Sequence, residues 1–117
     1  MLDSINRHRP VVAEPEERTL EVLRFLILGS RGGANRGRIL EALLRCPRNA
    51  FEISKTLDLN YGTVTAHLKT LVGAGLVVSL NGGRYSQGYA VTVVVRKNIA
   101  LFERLRGERR ANGGTGG

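Results

Sequence analysis

Apolar residues recur at helical spacing through the first third of the chain. The segment that starts at Pro15 carries Glu16 and Glu17, where the positive end of a helix dipole favours acids. Its seven apolar positions between residues 20 and 28 exceed what one helical face can hold, so we expect burial on two sides. A second stripe with the same spacing predicts a helix from about Asn35 to Cys46.

Residues 49–73 predict two helices separated by a tight turn. Asn49 is a suitable N-cap for the first, and Glu52 stands three residues later, in the position of a capping box. Asn60 is a suitable cap for the second, which should end at about residue 72 because glycines follow. This arrangement is a helix-turn-helix, a motif whose second helix enters the major groove of DNA.

A β-hairpin is predicted after these helices. Residues 76–80 are rich in β-branched side chains, Asn81-Gly82-Gly83 is a strong turn signal, and residues 89–95 are the expected returning strand. An amphipathic helix should follow over residues 97–106. We therefore expect a mainly α fold with a small β-hairpin. The expected architecture is a winged helix-turn-helix with extra N- and C-terminal helices forming a dimer interface.

These elements divide the chain into three parts. Residues 1–15 contain Pro10 and the basic run Arg7-His8-Arg9, and we interpret them as a flexible basic arm. Residues 16–106 form the predicted winged-helix DNA-binding and dimerisation domain. Residues 107–117 end in a glycine-rich sequence with nothing to bury, so we expect a disordered tail.

The composition narrows the class of partner. The chain of 117 residues has a net charge of +8 and a pI near 10.8, which suits a polyanion, nucleic acid first and an anionic membrane second. A well-solvated surface explains the charge equally well. No apolar run approaches the ~20 residues that span a bilayer, so no membrane partner is predicted. With Cys46 as the single cysteine, no internal disulfide is possible, and we expect a cytoplasmic protein.

The second helix of the pair resembles a known family. Leu59 to Leu71, with the run Thr63-Val64-Thr65-Ala66-His67-Leu68-Lys69, is similar to the recognition-helix segment of ArsR-type winged-helix transcriptional regulators. Gly75-Leu76-Val77 and the hairpin are similar to the wing of that family, and the resemblance covers roughly residues 34–95. It implies a homodimer whose interface is made by the terminal helices. The chain differs in lacking the paired cysteines of the family's metal sensors, and its base-reading positions are smaller and less polar than those of many relatives.

The predicted recognition helix has one apolar side and one smooth side. The side expected to be core holds Val64, Leu68, Leu71 and Val72. The opposite side holds Gly62, Ala66, Lys69 and Gly73. This surface lacks the Arg, Asn and Gln side chains that form two hydrogen bonds to one guanine or adenine. We therefore expect methyl contacts to thymine from Ala66 and Thr63, hydroxyl contacts from Thr63 and Thr65, and selection that depends mainly on DNA shape. The alternative is a structural helix whose small residues pack on another protein.

Two sets of site residues are predicted. The residues predicted to bind DNA are Lys55, Thr56, Asn60, Tyr61, Gly62, Thr63, Thr65, Ala66, Lys69, Arg84 and Tyr85. The backbone amides at the start of the recognition helix are also predicted to bind phosphate. The dimer-interface set is Leu20, Leu23, Ile27, Ile99, Phe102 and Leu105. The arginines that extend the basic footprint are Arg36, Arg38, Arg45 and Arg48. We interpret His67 as a packed or phosphate-bonded histidine in preference to a switch, and Cys46 as a small buried residue.

No pattern in the chain is typical of an enzyme. The sequence lacks a pair of acidic residues in an apolar setting, residues at metal-ligand spacing, and a phosphate-binding loop with its lysine. We therefore predict no catalytic, cofactor or metal site. We predict a homodimeric regulator that binds double-stranded DNA, with residues 61–73 in the major groove and the wing, residues 76–93, on flanking DNA. The alternatives are a winged-helix protein-interaction module and a general architectural DNA binder. An RNA-binding role is disfavoured because the recognition helix has no aromatic platform for unstacked bases.

Overall fold

The computed structural model describes residues 15–80 and 88–113, and its elements follow the order of a winged helix-turn-helix. They are α1 (Pro15–Arg24), whose C-terminal end continues as a π-helical turn (Phe25–Gly29) that we count with it, α2 (Gly33–Arg45), α3 (Ala50–Leu57), α4 (Tyr61–Gly73), β1 (Val77–Ser79), β2 (Tyr89–Val91), α5 (Val93–Lys97) and α6 (Ile99–Gly113). Within these two ranges, no helix has the length and apolar character needed to cross a membrane.

Local capping interactions set the limits of the helix-turn-helix. The Asn49 side chain accepts a hydrogen bond from the Glu52 amide, and the Glu52 carboxylate accepts one from the Asn49 amide, both at 2.8 Å. The predicted capping box is therefore confirmed. Asp58 ends α3 in the left-handed conformation, with φ of 56°, and Asn60 caps α4 two residues later. This short turn brings α4 directly beside α3.

The hairpin is joined to the helical part through the α2–α3 connection. β1 and β2 pair antiparallel, with Val77 opposite Val91 and Ser79 opposite Tyr89. Tyr89 also exchanges two backbone hydrogen bonds with Arg48, at 3.2 and 2.8 Å. The hairpin turn, which contains Arg84 and Tyr85, lies outside the described residues.

A single apolar cluster connects the helices and the hairpin of the described residues. Its buried members are Leu23, Leu26, Ile27, Ile39, Leu40, Leu43, Ala50, Ile53, Val64, Leu68, Leu71, Leu76, Val77, Val91, Val95, Phe102 and Leu105. Helix α4 supplies three of them, on the side that its sequence predicts. The other side of α4 is left outside the core.

Two residues expected in the interior are exposed. Val72 is 38% exposed, because at 100° per residue it lies about 80° around the helix from Val64, outside the arc that packs. Cys46 is exposed because α2 ends at Arg45 and the chain continues in extended backbone, with φ of −168° at Cys46. The prediction of a buried cysteine is wrong.

The returning strand is shorter than predicted. It ends at Val91, and residues 93–97 form the short helix α5 in place of the expected strand. The Thr92 amide donates to the Leu76 carbonyl at 3.0 Å, and the Thr92 hydroxyl donates to the Gly75 carbonyl at 2.8 Å. These bonds hold Thr92 beside the residues that precede β1, and Val95 enters the core from the helix that follows.

The last helix is longer than predicted and includes the first part of the expected tail. It runs to Gly113, whereas the apolar pattern predicts an end at residue 106 and disorder from residue 107. Polar contacts of its second half explain the extension. Arg106 pairs with Glu41 at 3.0 Å, Glu108 lies 3.9 Å from Arg24, and Arg109 donates to a carbonyl of α1. Residues 114–117 lie outside the described residues.

Helices α1 and α6 pack on each other within one chain. Leu23, Ile27, Phe102 and Leu105 are at most 1% exposed, so in this conformation they belong to the chain's own core and a partner cannot contact them. Their assignment to a dimer interface is corrected accordingly. Leu20 is half-buried and Ile99 is 37% exposed, and an interface role remains a prediction for these two.

The close approach of α2 to the end of α1 depends on Gly33. A Cβ at this position would lie 2.2 Å from the Ile27 carbonyl oxygen, a backbone atom that cannot move aside cheaply. We expect Gly33→Ala to lower the free energy of unfolding by about 1–3 kcal/mol or more in urea denaturation. Gly107→Ala is the matched control, because no atom lies within 4 Å of its Cβ position and the helix interior favours alanine by about 0.5–1 kcal/mol. Equal stabilities for the two variants would contradict this packing.

Candidate nucleic-acid interface

Helix α4 presents an exposed face of small and polar residues. Its exposed members are Tyr61, Gly62, Thr63, Ala66, Lys69, Thr70, Val72 and Gly73. A Cβ on Gly62 would meet the Asn60 side-chain oxygen at 3.1 Å, and a Cβ on Gly73 would meet nothing within 4 Å. The space beside the helix backbone is therefore open at Gly73, whereas the Asn60 cap lies close to Gly62.

The start of α4 is capped by its own chain. Asn60 Oδ1 accepts from the amide of Gly62 at 2.7 Å and from the amide of Thr63 at 3.3 Å. These two amides, predicted to bind phosphate, are already occupied in this conformation. Thr65 is half-buried, and its hydroxyl donates to the Gly62 carbonyl at 3.0 Å, so toward DNA it can act only as an acceptor.

Helix α3 adds exposed groups at the side of the recognition helix. Lys55 is exposed, and its Nζ lies 5.4 Å from the ring centroid of Phe51, an aromatic side chain that is itself 53% exposed. Thr56 is also exposed, with its hydroxyl 3.5 Å from Arg48. Phe51 is not among the predicted site residues, although its place one turn before Lys55 on a short helix predicts this contact.

The family comparison decides what kind of domain carries this face. Residues 34–79, from α2 to the end of β1, match the model of a family described as bacterial regulatory protein, arsR family. Residues 34–79 form an ArsR-family helix-turn-helix domain. The resemblance of the recognition helix is confirmed, and so is the winged helix-turn-helix fold. Such domains bind DNA in transcriptional regulation. No curated protein matches the chain.

Three of the four arginines expected to extend the basic footprint donate hydrogen bonds to backbone carbonyls of the chain itself. Arg38 donates to the Leu57 carbonyl, at the end of α3, at 2.8 Å. Arg48 is half-buried and donates to a carbonyl of α2 at 3.3 Å. Arg36 is buried, with 6% exposure. The exposed arginine of this set is Arg45.

Arg36 satisfies the carbonyl groups at the C-terminal end of α1. Its Nε and Nη2 donate to the Leu26 carbonyl at 3.0 and 2.8 Å, and Nη2 also donates to the Ser30 hydroxyl and to the Arg31 carbonyl. Burial, and then the charge of Arg109, lower the pKa of Arg36 from its ordinary value. The sequence contained a signal for this burial, because Arg36 lies one turn before Ile39 on the apolar side of α2.

His67 joins this arrangement from the recognition helix of the ArsR-family domain. It is half-buried, and its Nδ1 lies 3.4 Å from Arg36 Nη1. A Cβ on Gly32 would come within 2.8 Å of the His67 Cε1 atom, so the backbone of the α1–α2 connection packs against the ring. Burial, and then the charge of Arg36, lower the pKa of His67 below 6.5. Between a packed and a phosphate-bonded His67, the structure favours the packed one.

The lowered pKa of His67 predicts a pH dependence of stability. Below pH 6.5 the unfolded chain takes up a proton on this residue before the folded chain does. The contribution of His67 is therefore complete above pH 6.5 and is lost as the pH falls through its folded-state pKa. We expect urea denaturation between pH 5 and pH 8 to show this loss in the wild type and a smaller loss in His67→Asn. The chain's other histidine provides the control: His8→Asn should retain the wild-type dependence.

Proposed function

We propose that this protein is a homodimeric transcriptional regulator whose recognition helix, Tyr61–Gly73, enters the major groove of double-stranded DNA. The exposed face of α4 in an ArsR-family domain is the observation that carries this proposal. Gly62 and Ala66 permit a close approach to the groove floor, and Lys69 supplies a cation for phosphate. Because the proposed target is chromosomal DNA, we propose a cytoplasmic location.

The same face suggests how the protein selects its site. Gly62, Thr63 and Ala66 carry no side chain that can bind guanine or adenine bidentately. We infer methyl contacts to thymine from Ala66 and Thr63, and a hydroxyl contact from Thr63. Most of the selection then comes from sequence-dependent groove width and flexibility.

Phosphate contacts are proposed on both sides of the recognition helix. On one side, the exposed side chains of Lys55, Thr56 and Tyr61 supply a cation and two hydroxyl groups. On the other side, we propose that the wing, residues 76–93, contacts flanking DNA through Arg84 and Tyr85. Asn60 contributes indirectly, since it holds the first turn of α4 in place.

We propose that the homodimer forms through exposed apolar residues of the terminal helices. Val22 is 38% exposed and Phe25 is 58% exposed on α1, and Ile99 on α6 is exposed to a similar degree as Val22. Together with half-buried Leu20, they supply apolar area that the core of one chain does not cover. A two-fold dimer would bring two recognition helices to successive major grooves, about 34 Å apart, and so bind a pseudo-palindromic site.

The salt dependence of binding tests the role of α4. If each protomer neutralises about four phosphates, the log-log slope of affinity against salt for a dimer should be near −7. We expect Lys69→Ala to make this slope shallower by about 2 per dimer, because one phosphate contact is lost in each protomer. The measurement is fluorescence anisotropy on a random duplex pool at several salt concentrations.

Lys97→Ala is the matched control for this measurement. Lys97 is an exposed lysine of α5, 3.6 Å from Glu16 and outside the ArsR-family domain, so its removal should leave the slope close to wild type. An equal effect of both variants would mean that net charge alone attracts DNA. Absence of binding at low salt would refute the regulator and favour a protein-interaction module.

Phe25→Asp tests the proposed dimer. Burying an aromatic side chain contributes on the order of 2 kcal/mol, and a dimer contains two copies. We therefore expect the dimer dissociation constant to rise more than about tenfold in sedimentation equilibrium. Phe51→Asp, which changes an equally exposed phenylalanine on α3, should leave the dimer intact. A dimer unaffected by Phe25→Asp would exclude this face of α1.

A further inference from the structure

Arg36 contacts both the end of α1 and the recognition helix through one guanidinium group. Nε and Nη2 are directed to the carbonyl groups that end α1, and Nη1 faces His67 on α4. We propose that Arg36 is a positioning residue for DNA binding, which holds the recognition helix against the end of α1 through a contact that requires a neutral His67. This inference rests on the proposed function and adds a means of regulating the same site.

The contact defines the state of the histidine. A guanidinium group has only donors, so Nδ1 of His67 has to be the unprotonated acceptor and the hydrogen of the neutral ring is on Nε2. The Arg36 Nη1 to His67 Nδ1 distance of 3.4 Å is at the outer limit of a hydrogen bond. Protonation replaces the acceptor by a donor and sets two cations against each other, so the attraction becomes a repulsion.

The half-buried ring of His67 is contacted from two sides. The backbone of Gly32 packs on its Cε1 edge, and Arg36 is held by four further hydrogen bonds. The charged group that faces the ring from α2 is Arg36, and Arg109 of α6 acts on Arg36 in turn. On α4 itself, the residues one turn away are uncharged: Thr63, Val64, Thr70 and Leu71. Nothing in this set favours a charged imidazole, and we infer that the repulsion from Arg36 is reduced by a shift of α4, which carries the ring.

A shift of α4 at His67 changes the surface offered to DNA. Ala66, the residue before His67, and Lys69, two residues after it, lie on the exposed face. Recognition of a particular sequence depends on helix placement to about 0.5 Å, whereas attraction to any phosphate backbone does not. Protonation of His67 should therefore lower discrimination between duplexes more than it lowers general affinity.

Arg36 and its neighbour Arg38 give a matched pair of variants. Arg36→Lys keeps the charge, but one ammonium group cannot reach the Leu26 carbonyl and His67 together. Arg38, two residues along α2, makes the same type of bond to the Leu57 carbonyl at 2.8 Å and also donates to the Asn35 side chain, so Arg38→Lys should leave α4 in place. His67→Asn keeps an oxygen acceptor near the position of Nδ1 and removes the titration.

The first experiment follows the two histidines by NMR in the absence of DNA. The imidazole Cε1–H signals and the backbone amides of α4 are recorded from pH 5 to pH 8. We expect amides of α4 to titrate together with His67 in the wild type and in His8→Asn. In Arg36→Lys, the His67 pKa should rise toward its ordinary value, and in Arg38→Lys it should not. Titration of His67 without any response in α4 would overturn the coupling.

The second experiment measures DNA discrimination. The probes are a duplex selected from a random pool by the wild-type protein and a scrambled duplex of the same length, at pH 5.5 and pH 7.5. We expect the ratio of the two affinities to fall about three- to tenfold at pH 5.5 in the wild type, His8→Asn and Arg38→Lys. The ratio should stay constant in His67→Asn, and it should be low at both pH values in Arg36→Lys.

The outcomes separate this inference from the proposed function. Binding with a ratio that depends on pH equally in the wild type and His67→Asn would refute the positioning role and leave the regulator intact. Absence of binding to any duplex at low salt would refute the regulator and the positioning role together. If Arg36→Lys fails to fold, the comparison of the wild type with His67→Asn still decides the question.

Discussion

The architecture depends on how the carbonyl groups at the end of α1 are satisfied. The π-helical turn Phe25–Gly29 packs against α2 and α6, and its buried residues Leu26 and Ile27 need partners for their carbonyls within the chain. Arg36 and Arg109 donate to two successive carbonyls, those of Leu26 and Ile27. Two cations at a helix C-terminus also suit the dipole there, which offsets part of the cost of burying Arg36.

This interaction organises the rest of the molecule. It brings the N-terminal turn of α2 so close to α1 that Gly33 has no room for a side chain. It also draws α6 across α1, which completes the core around Phe102 and Leu105. Helix α4 then packs on this assembly with Val64, Leu68 and Leu71, and the remainder of its surface stays available to a partner. The recognition surface is thus the part of α4 that does not pack in the core.

The basic residues of this small domain fall into two groups, those bonded within the chain and those exposed to solvent. Arg36, Arg38 and Arg48 donate hydrogen bonds to backbone carbonyls within the chain, and these bonds stabilise the fold. Lys55 and Lys69 are exposed and can meet phosphate. A count of basic residues cannot separate these groups, because an arginine that ends a helix and an arginine that binds DNA look alike in composition.

The sequence by itself determined the elements whose causes are local. The capping box at Asn49 and Glu52, the cap at Asn60 and the core side of α4 follow from residues within one or two turns of each other, and such spacing can be read directly. The tertiary structure alone decided which groups separated by 10, 31 and 82 residues meet: Arg36 with Leu26, Arg36 with His67 and Arg109 with Ile27. The Arg109 contact belongs to the part of α6 that extends beyond its apolar pattern, and Leu23 and Ile27 are enclosed in the same assembly. No local pattern carries this information, because it depends on where distant backbone groups lie once the core has formed.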